Sequence, residues 1–224
     1  MRVAVLSLTR DRLAYTQHCF ATLRDLAGCD YSHFVLDQGS TDGTGEWLLA
    51  QDDLDVTLLH ENIGICCGLN LLLDEMLNPA DYDAIVKFDN DCELLTQNTL
   101  RDVARLSVEW DALLSPKIHG LRNPPPVLGQ VSADEETAVD ITPVIGGIFL
   151  AAPARIFADG YRHDERAPLW GTDDTALCAD WRAKGGVVGY VQGYDANHYL
   201  TTEGQWADVP DYFDRTLAEG KPSL

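Results

Sequence analysis

Basic residues are scarce in this chain of 224 residues, which has 16 lysines and arginines against 36 aspartates and glutamates and a net charge of −20. Such a surface repels phosphate polymers and anionic bilayers over most of its area, so polymeric nucleic acid is not expected as a partner. A small phosphorylated ligand is still compatible with this charge, because one metal ion or one helix N-terminus neutralises it locally.

Long hydrophobic runs are also absent. The first apolar run, residues 2–8, is followed by charged residues at 10–12, and is too short for a signal peptide or a membrane span. The six cysteines lack C-x-x-C pairs and zinc-ligand spacing, which predicts reduced packing residues in a cytoplasmic protein. In the adjacent pair Cys66 and Cys67, a disulfide or a reactive thiol is the alternative to simple packing.

The pattern of apolar residues predicts an α/β fold with a mostly parallel sheet and helices on both faces. A helix is predicted after each of the first four strands. The first begins at Leu13, the second runs through Trp47, the third begins at Leu69 and the fourth is capped by Thr96; a fifth helix is predicted over 174–184. Residues 117–136 read as a long mobile loop or hairpin, and the tail past Thr201 has little pattern. The predicted strands are 2–8, 34–37, 56–60, 83–88, 111–115, 144–152 and 187–191.

Two aspartates, Asp89 and Asp91, directly follow the fourth predicted strand. In an extended segment residues i and i+2 face the same side, so the two carboxylates can converge on one ligand. Two hard oxygen ligands suit Mg²⁺ or Mn²⁺, which complete their coordination with waters and substrate phosphates. The alternative is a solvated turn with helix-capping acids.

Polar residues also follow the other early strands. The ends of the first three strands carry Thr9 and Arg10, Asp37, and Asn62 with Gly64. Ligands of open α/β sheets bind at the carboxyl ends of the strands, so this set predicts a nucleotide pocket. Neither a Walker A sequence nor G-x-G-x-x-G is present, so a metal must hold the diphosphate.

Taken in order, these segments resemble the family 2 glycosyltransferases of the GT-A type over about residues 1–200. The sequence departs from the family pattern at Gln38 and His60, and at the cysteine pair. The segments that carry the resemblance are LDQGSTDGT at 36–44, ENIG at 61–64 with Asn70, DND at 89–91, GGIFL at 146–150, GYRHDE at 160–165 and WGTDD at 170–174.

The resemblance implies a GT-A-like Rossmann-type domain that transfers a sugar from a nucleoside-diphosphate sugar, with a donor half at about 1–115, an acceptor half at about 116–200 and a tail at 201–224. Thr9 and Asp37 would contact the nucleoside base, Asp89 the ribose or sugar, and Asp91 the metal. His198 is either a further metal ligand or a structural residue. The acceptor would be a hydroxyl of a saccharide, a lipid-linked compound or another small molecule.

The acid pair Asp173 and Asp174 stands at a predicted helix start, where it is either the family's acidic pair or an ordinary acidic N-terminus. Inverting transfer needs a carboxylate to take the acceptor proton, and we predict Asp174 for this role with Asp173 as the alternative. Gly146, Gly147 and Trp170 are the predicted acceptor-side residues. The alternatives are a β-bulge or a crowded strand crossing for the two glycines and core or lid packing for Trp170. We expect the two neighbouring acids to point in different directions.

Two other functions compete with this interpretation. A sugar nucleotidyltransferase would resemble G-x-G-T-R after the first strand, where this chain has Ser7-Leu8-Thr9-Arg10-Asp11. A non-catalytic module that binds carbohydrate or nucleotide would bind ligand without turnover, and the intact acids argue against it. The donor base, the sugar and the oligomeric state are left open by the sequence.

Overall fold

A computed structural model describes residues 1–132, 137–167 and 173–209. In the first half, strands and helices alternate as predicted, and a π-helical turn, Leu72–Met76, and a 3-10 turn, Pro79–Asp81, follow the third helix. The elements are β1 Val3–Thr9, α1 Leu13–Leu26, β2 Ser32–Gln38, α2 Thr44–Leu49, β3 Leu54–Leu59, α3 Ile65–Leu71 and β4 Ala84–Phe88.

The second half is less regular and contains several short elements. They are β5 Cys92–Leu94, α4 Thr99–Trp110, β6 Ala112–His119, β7 Gly129–Ser132, β8 Ala138–Ile141, β9 Phe149–Pro153, α5 Arg155–Ala158, α6 Asp173–Ala183, β10 Val187–His198 and α7 Thr201–Asp208.

One sheet of ten strands organises the described part of the chain, in the order β3-β2-β1-β4-β9-β6-β10-β8-β7, with β5 paired to β10. Strands β3, β2, β1 and β4 are parallel neighbours, and β6 and β10 form a second parallel pair. Strand β9 runs antiparallel between them. The predicted α/β class with a mostly parallel sheet is therefore confirmed.

The burial of the central strands explains why they form the middle of the sheet. Six of the seven residues of β1 are buried, which is typical of a parallel strand covered on both faces. Helix α4 instead buries one stripe, including Leu100, Val103 and Leu106, while Arg101 and Arg105 stay outside. This spacing of three to four residues is that of an amphipathic helix on a sheet.

Several predicted boundaries were wrong. The strand predicted over 144–152 begins only at Phe149, so Gly146 and Gly147 lie in the loop before β9. Thr96 does not cap α4; Asn98 occupies that position with a left-handed backbone. The hydroxyl of Thr96 instead accepts the backbone N–H of Asp195, at 3.0 Å, so it joins β10.

The predicted loop at 117–136 and the predicted tail both contain regular structure. The loop includes the end of β6 and all of β7, and residues 133–136 lie outside the described part. The tail begins with α7, and residues 210–224 lie outside the described part of the chain. The predicted boundary between donor and acceptor halves, at about residue 115, falls inside β6.

Candidate active site at the carboxyl edge of the sheet

The loops after β1 and β2 are joined by buried hydrogen bonds. The hydroxyl of Thr9 donates to Oδ1 of Asp37 at 2.9 Å, and the backbone N–H of Ser40 donates to Oδ2 at 3.0 Å. Asp11 accepts the N–H of Thr41 at 2.7 Å. Both carboxylate oxygens of Asp37 thus accept hydrogen bonds within the protein, and the two loops form one unit.

The loop after β3 is held against the loop after β2. Oε1 of Gln38 accepts the N–H of Ile63 at 3.1 Å, and the side chain of Asn62 accepts the N–H of Gly64 at 2.9 Å. Gly39 has a φ of +75°, and a Cβ there would lie 2.9 Å from the carbonyl oxygen of His60. Glycine is required at position 39 because the backbones approach closely and φ is positive.

Asn70 connects α3 to the segment that precedes the acid pair. Its Oδ1 accepts the N–H of His163, and its Nδ2 donates to the carbonyl of His163, both at 2.9 Å. Nδ2 also donates to Oε1 of Glu165 at 3.0 Å. The buried amide therefore ties together two segments that the sequence resemblance had noted only separately.

Asp91 is almost fully buried and is paired with two nitrogen donors. Nη1 of Arg12 lies 2.9 Å from its Oδ2, and Nε2 of His198 lies 3.3 Å from the same oxygen. Burial opposes ionisation of this carboxyl, but Arg12 and His198 outweigh it and hold the pKa of Asp91 well below its usual range. Burial likewise lowers the pKa of His198, but Asp91 outweighs this and raises it.

The long strand β10 brings His198 to this position. After a register shift between Val191 and Asp195, β10 pairs with β5, so that His198 lies opposite Cys92. The N–H of Tyr199 then donates to the carbonyl of Asp91 at 2.8 Å. The predicted last strand ended at residue 191 and therefore could not show this contact.

Lys87 joins Asp89 to Asp173. Its Nζ lies 3.2 Å from Oδ1 of Asp89 and 2.9 Å from Oδ2 of Asp173. Burial raises the pKa of Asp89, and the nearby carboxylates of Asp91 and Asp173 raise it further. Lys87 lowers this pKa but does not outweigh them. Burial also raises the pKa of Asp173, but the charge of Lys87 outweighs this effect, so the pKa of Asp173 is lower than usual. The lysine thus keeps the more buried acid of the pair ionised.

Gly147 packs against this cluster. Its N–H donates to Oδ2 of Asp174 at 2.8 Å. A Cβ at residue 147 would lie 2.6 Å from Nζ of Lys87 and 3.3 Å from Oδ2 of Asp173. The carboxylates of Asp173 and Asp174 therefore both lie beside Gly147. Gly146 is less crowded, since a Cβ there would be 3.8 Å from its nearest neighbour, Leu121.

A mostly apolar cavity lies next to Lys87 and Asp173. Its wall includes His163, which is buried and whose Nδ1 has no hydrogen-bond partner among the described residues. Burial lowers the pKa of His163 to about 4, so this imidazole is neutral near neutral pH. The apolar part of the wall consists of Leu6, Leu69, Leu73, Ile85, Leu150, Phe157 and Leu177.

The side chains around Asp91 fit a divalent cation that takes only one or two ligands from the protein. Carboxylate oxygen and imidazole nitrogen are both ligands for Mn²⁺, and Asp91 and His198 already face each other. No group of three His, Cys, Asp or Glu side chains close enough to hold a metal exists in the described ranges.

The structure groups the predicted residues into three neighbouring sets. Thr9 lies with Asp37, Asp91 with His198, and Asp89 with the acid pair through Lys87. Arg10 directly follows β1 and is half-buried, whereas Trp170 lies outside the described residues.

Sequence reasoning missed the roles of Arg12 and Lys87. The signal for Lys87 was a lysine inside an apolar strand, two residues before Asp89 and hence on the same face. Arg12 gave no comparable signal, because its partner Asp91 is 79 residues away in sequence.

Comparison with solved structures identifies the fold. GalNAc-T7, solved with UDP, GalNAc and Mn²⁺, superposes with a TM-score of 0.66 at 14% identity over 90% of this chain. The mannosyltransferase PcManGT from Pyrobaculum calidifontis, in complex with GDP-Man and Mn²⁺, gives 0.66 at 16% identity over 99%. S. aureus TarS in complex with UDP-GlcNAc gives 0.63 at 16% identity over 88%. This chain has the GT-A fold.

The GT-A likeness rests on structure alone. No protein-family model matches the chain, and no curated protein matches its sequence. The chain spans 44% of GalNAc-T7, 65% of PcManGT and 58% of TarS in the solved forms. None of the described helices is long and apolar enough to cross a bilayer, and all six cysteines are free.

Proposed function

We propose that this GT-A domain is an inverting glycosyltransferase that resembles family 2. It would move a sugar from a nucleoside-diphosphate sugar to a hydroxyl acceptor, with Mn²⁺ or Mg²⁺. The observation that carries the proposal is the convergence of two acidic centres at one edge of the sheet, Asp91 with His198 and Asp89 with Asp173 and Lys87. The neighbours of the same fold that were solved with Mn²⁺ and nucleotides support it.

On the donor side, Asp91 and His198 would hold the metal, with Asp89 beside them at the ribose or sugar. When bound, the metal supplies a Lewis acid that stabilises negative charge on the departing diphosphate. Thr9 and Asp37 would contact the nucleoside base, in a pocket completed by Arg10, Asn62 and Gly64. The hydrogen bonds of Asp37 to Thr9 and Ser40 preorganise that pocket.

On the acceptor side, Asp174 would take the proton of the attacking hydroxyl. The N–H of Gly147 donates to Oδ2 of Asp174 at 2.8 Å and fixes the orientation of the carboxylate. Asp173 is less suited to the role of base, because it is buried and its oxygen is paired with Lys87. Gly146 and Trp170 would contribute to acceptor binding. The acceptor would be a saccharide, a lipid-linked compound or another small molecule.

We also propose a cytoplasmic setting for the protein, which its free cysteines support.

A thermal-shift panel of UDP, GDP and dTDP sugars, with and without Mn²⁺ or Mg²⁺, tests donor binding. We expect one nucleotide series to raise the melting temperature only in the presence of metal, because a ligand of the folded state stabilises it. If no sugar nucleotide gives a shift under any condition, the proposed function is wrong.

Donor hydrolysis and transfer with the variant Asp174→Asn test the base. We expect an unchanged thermal shift with donor and metal but a loss of turnover of at least about 100-fold. The matched control is Asp180→Asn on the same helix, where the carboxylate pairs with exposed Lys184 and turnover should not change. If Asp174→Asn keeps its activity and Asp173→Asn loses it while still binding donor, Asp173 is the base.

A further inference from the structure

Arg12 occupies the position of a counter-cation to Asp91. The two side chains are only 10% and 11% exposed, and Nη1 of Arg12 lies 2.9 Å from Oδ2 of Asp91. A buried carboxylate without a cation is strongly unfavourable, so this ion pair, together with His198, allows Asp91 to stay ionised when no metal is bound. The oxygen that faces Arg12 is the same one that faces His198.

Two further hydrogen bonds of the guanidinium go to neutral amide side chains, and its central carbon lies 5.6 Å from the centroid of the Tyr15 ring. Nη2 donates to Oδ1 of Asn90 and Nη1 donates to Oε1 of Gln205, both at 2.9 Å. Arg12 itself has a left-handed backbone, with φ of 61°, between β1 and α1. Of these hydrogen bonds, the charge-assisted one to Asp91 is stronger than those to the two neutral amides.

We propose that Arg12 is a placeholder cation, which a divalent metal displaces from Asp91 and which then pairs with the diphosphate of the donor. This inference rests on the proposed function. A guanidinium and a divalent ion repel each other strongly at contact distance, so they do not share one carboxylate oxygen. The planar guanidinium matches phosphate oxygens in a bidentate manner, and it lies beside the carboxylate that would hold the metal.

The exchange makes metal and nucleotide binding cooperative. Metal alone must displace Arg12 without giving it a new anion, so its affinity is low. When a nucleoside diphosphate is present, Arg12 gains a partner, and by thermodynamic linkage the metal binds more tightly. A protein without the cation at residue 12 lacks both the competition and most of this coupling.

Mn²⁺ titrations followed by electron paramagnetic resonance test the proposal without any turnover. For Arg12→Gln we expect Mn²⁺ alone to bind at least about tenfold more tightly than to the wild type, and the enhancement of Mn²⁺ affinity by UDP or GDP to fall at least about tenfold. The matched control is Arg24→Gln, which removes the same charge from α1 at an exposed pair with Asp53. We expect Mn²⁺ affinity to be unchanged in that control.

A second variant covers the case in which Arg12→Gln does not fold. Gln205→Met removes one acceptor of Arg12 and also the hydrogen bond that Nε2 of Gln205 donates to the carbonyl of Tyr199, while the side chain of Asp91 is unchanged. We expect Mn²⁺ alone to bind about threefold more tightly to this variant. Equal or weaker Mn²⁺ binding by the folded Arg12 variant, or by the Gln205 variant alone, overturns the placeholder role. If the wild type binds no Mn²⁺ even with UDP or GDP, the metal assignment of the proposed function is overturned as well.

Discussion

Lys87 is the residue on which the electrostatics of the acid pair depends. It lies in β4, where its neighbours in sequence are Val86 and Phe88, and its side chain is 11% exposed. Burial alone would favour a neutral amine, but Asp173 and Asp89 raise the pKa of Lys87 above its usual value. The positive charge is therefore retained inside the protein, between a proposed donor-side acid and the proposed catalytic pair.

Replacing Lys87 tests how much this residue contributes to the stability of the fold. We expect Lys87→Met to lower the free energy of unfolding by about 3 kcal/mol or more, because Asp173 is left as a buried, uncompensated carboxylate. Urea denaturation measures the loss. Lys184→Met is the control, since its pair with Asp180 is exposed and contributes about 0.3–0.5 kcal/mol. Equal losses in the two variants would refute the role of Lys87.

Gly147 gives a second prediction at the residue scale. In Gly147→Ala the new methyl group would lie 2.6 Å from Nζ of Lys87, whose end is held by two carboxylates. Moving the lysine weakens those pairs, so we expect a loss of about 1–3 kcal/mol in the free energy of unfolding. Gly146→Ala should stay within about 0.5 kcal/mol of the wild type. Chemical denaturation measures the stability of both variants. Equal stabilities would contradict the argument that residue 147 is crowded.

At the scale of the elements, the site is built from segments that touch only after the sheet has formed. Helix α3 reaches the segment before α6 through Asn70, and β10 reaches β5 through its irregular middle. Asn70 is 4% exposed and satisfies both the N–H and the carbonyl of His163. One side chain thus replaces the backbone pairing that this loop lacks.

Asn70→Ala should release that loop. Two buried backbone groups of His163 lose their partner, and each costs about 1–3 kcal/mol. We expect faster amide hydrogen exchange at residues 163–167 and a lower melting temperature. Asn78→Ala serves as the control, because its exposed side chain accepts only the N–H of Ala80 at 3.3 Å. Unchanged exchange at 163–167 in Asn70→Ala would show that other contacts hold the loop.

The regular half of the fold was predictable, whereas in the irregular half the sequence predicted α4, α6 and parts of β6 and β10 but not the short strands. Strands β1 to β4 and helix α1 are predicted by the spacing of their apolar residues and by the glycine-rich turns between elements. The short strands β5, β7 and β8 have three or four residues each, and their pairing depends on partners far along the chain. The candidate site shows the same division. The aspartates were proposed from their place after strands, whereas the contacts of Arg12 with Asp91 and of Lys87 with Asp173 join residues far apart in the chain.

At the scale of the whole molecule, stability depends on pH through groups that the core keeps neutral. His33 is 3% exposed and is hydrogen-bonded to Ser7 at 2.8 Å. Burial lowers the pKa of His33 from 6.5 to about 3. The unfolded chain therefore binds a proton at this residue in a pH range where the folded protein does not.

The sign follows from this difference. The contribution of His33 is complete above pH 6.5 and is lost as the pH falls toward 3, by roughly 3 kcal/mol between pH 6.5 and 4 at 1.36 kcal/mol per unit. We expect His33→Gln to show a shallower fall in the free energy of unfolding over that interval. Urea denaturation at several pH values gives both slopes, and parallel slopes would exclude His33 as the titrating group.

Strand β6 spans residues 112–119 and pairs with both β9 and β10, so the boundary between the predicted donor and acceptor halves is itself a piece of the sheet. A split version of this protein, cut at residue 115, would divide one strand between two fragments. Neither fragment would keep an intact β6 to align its neighbours. Complementation experiments should therefore place the cut elsewhere, for example in the exposed stretch between β6 and β7.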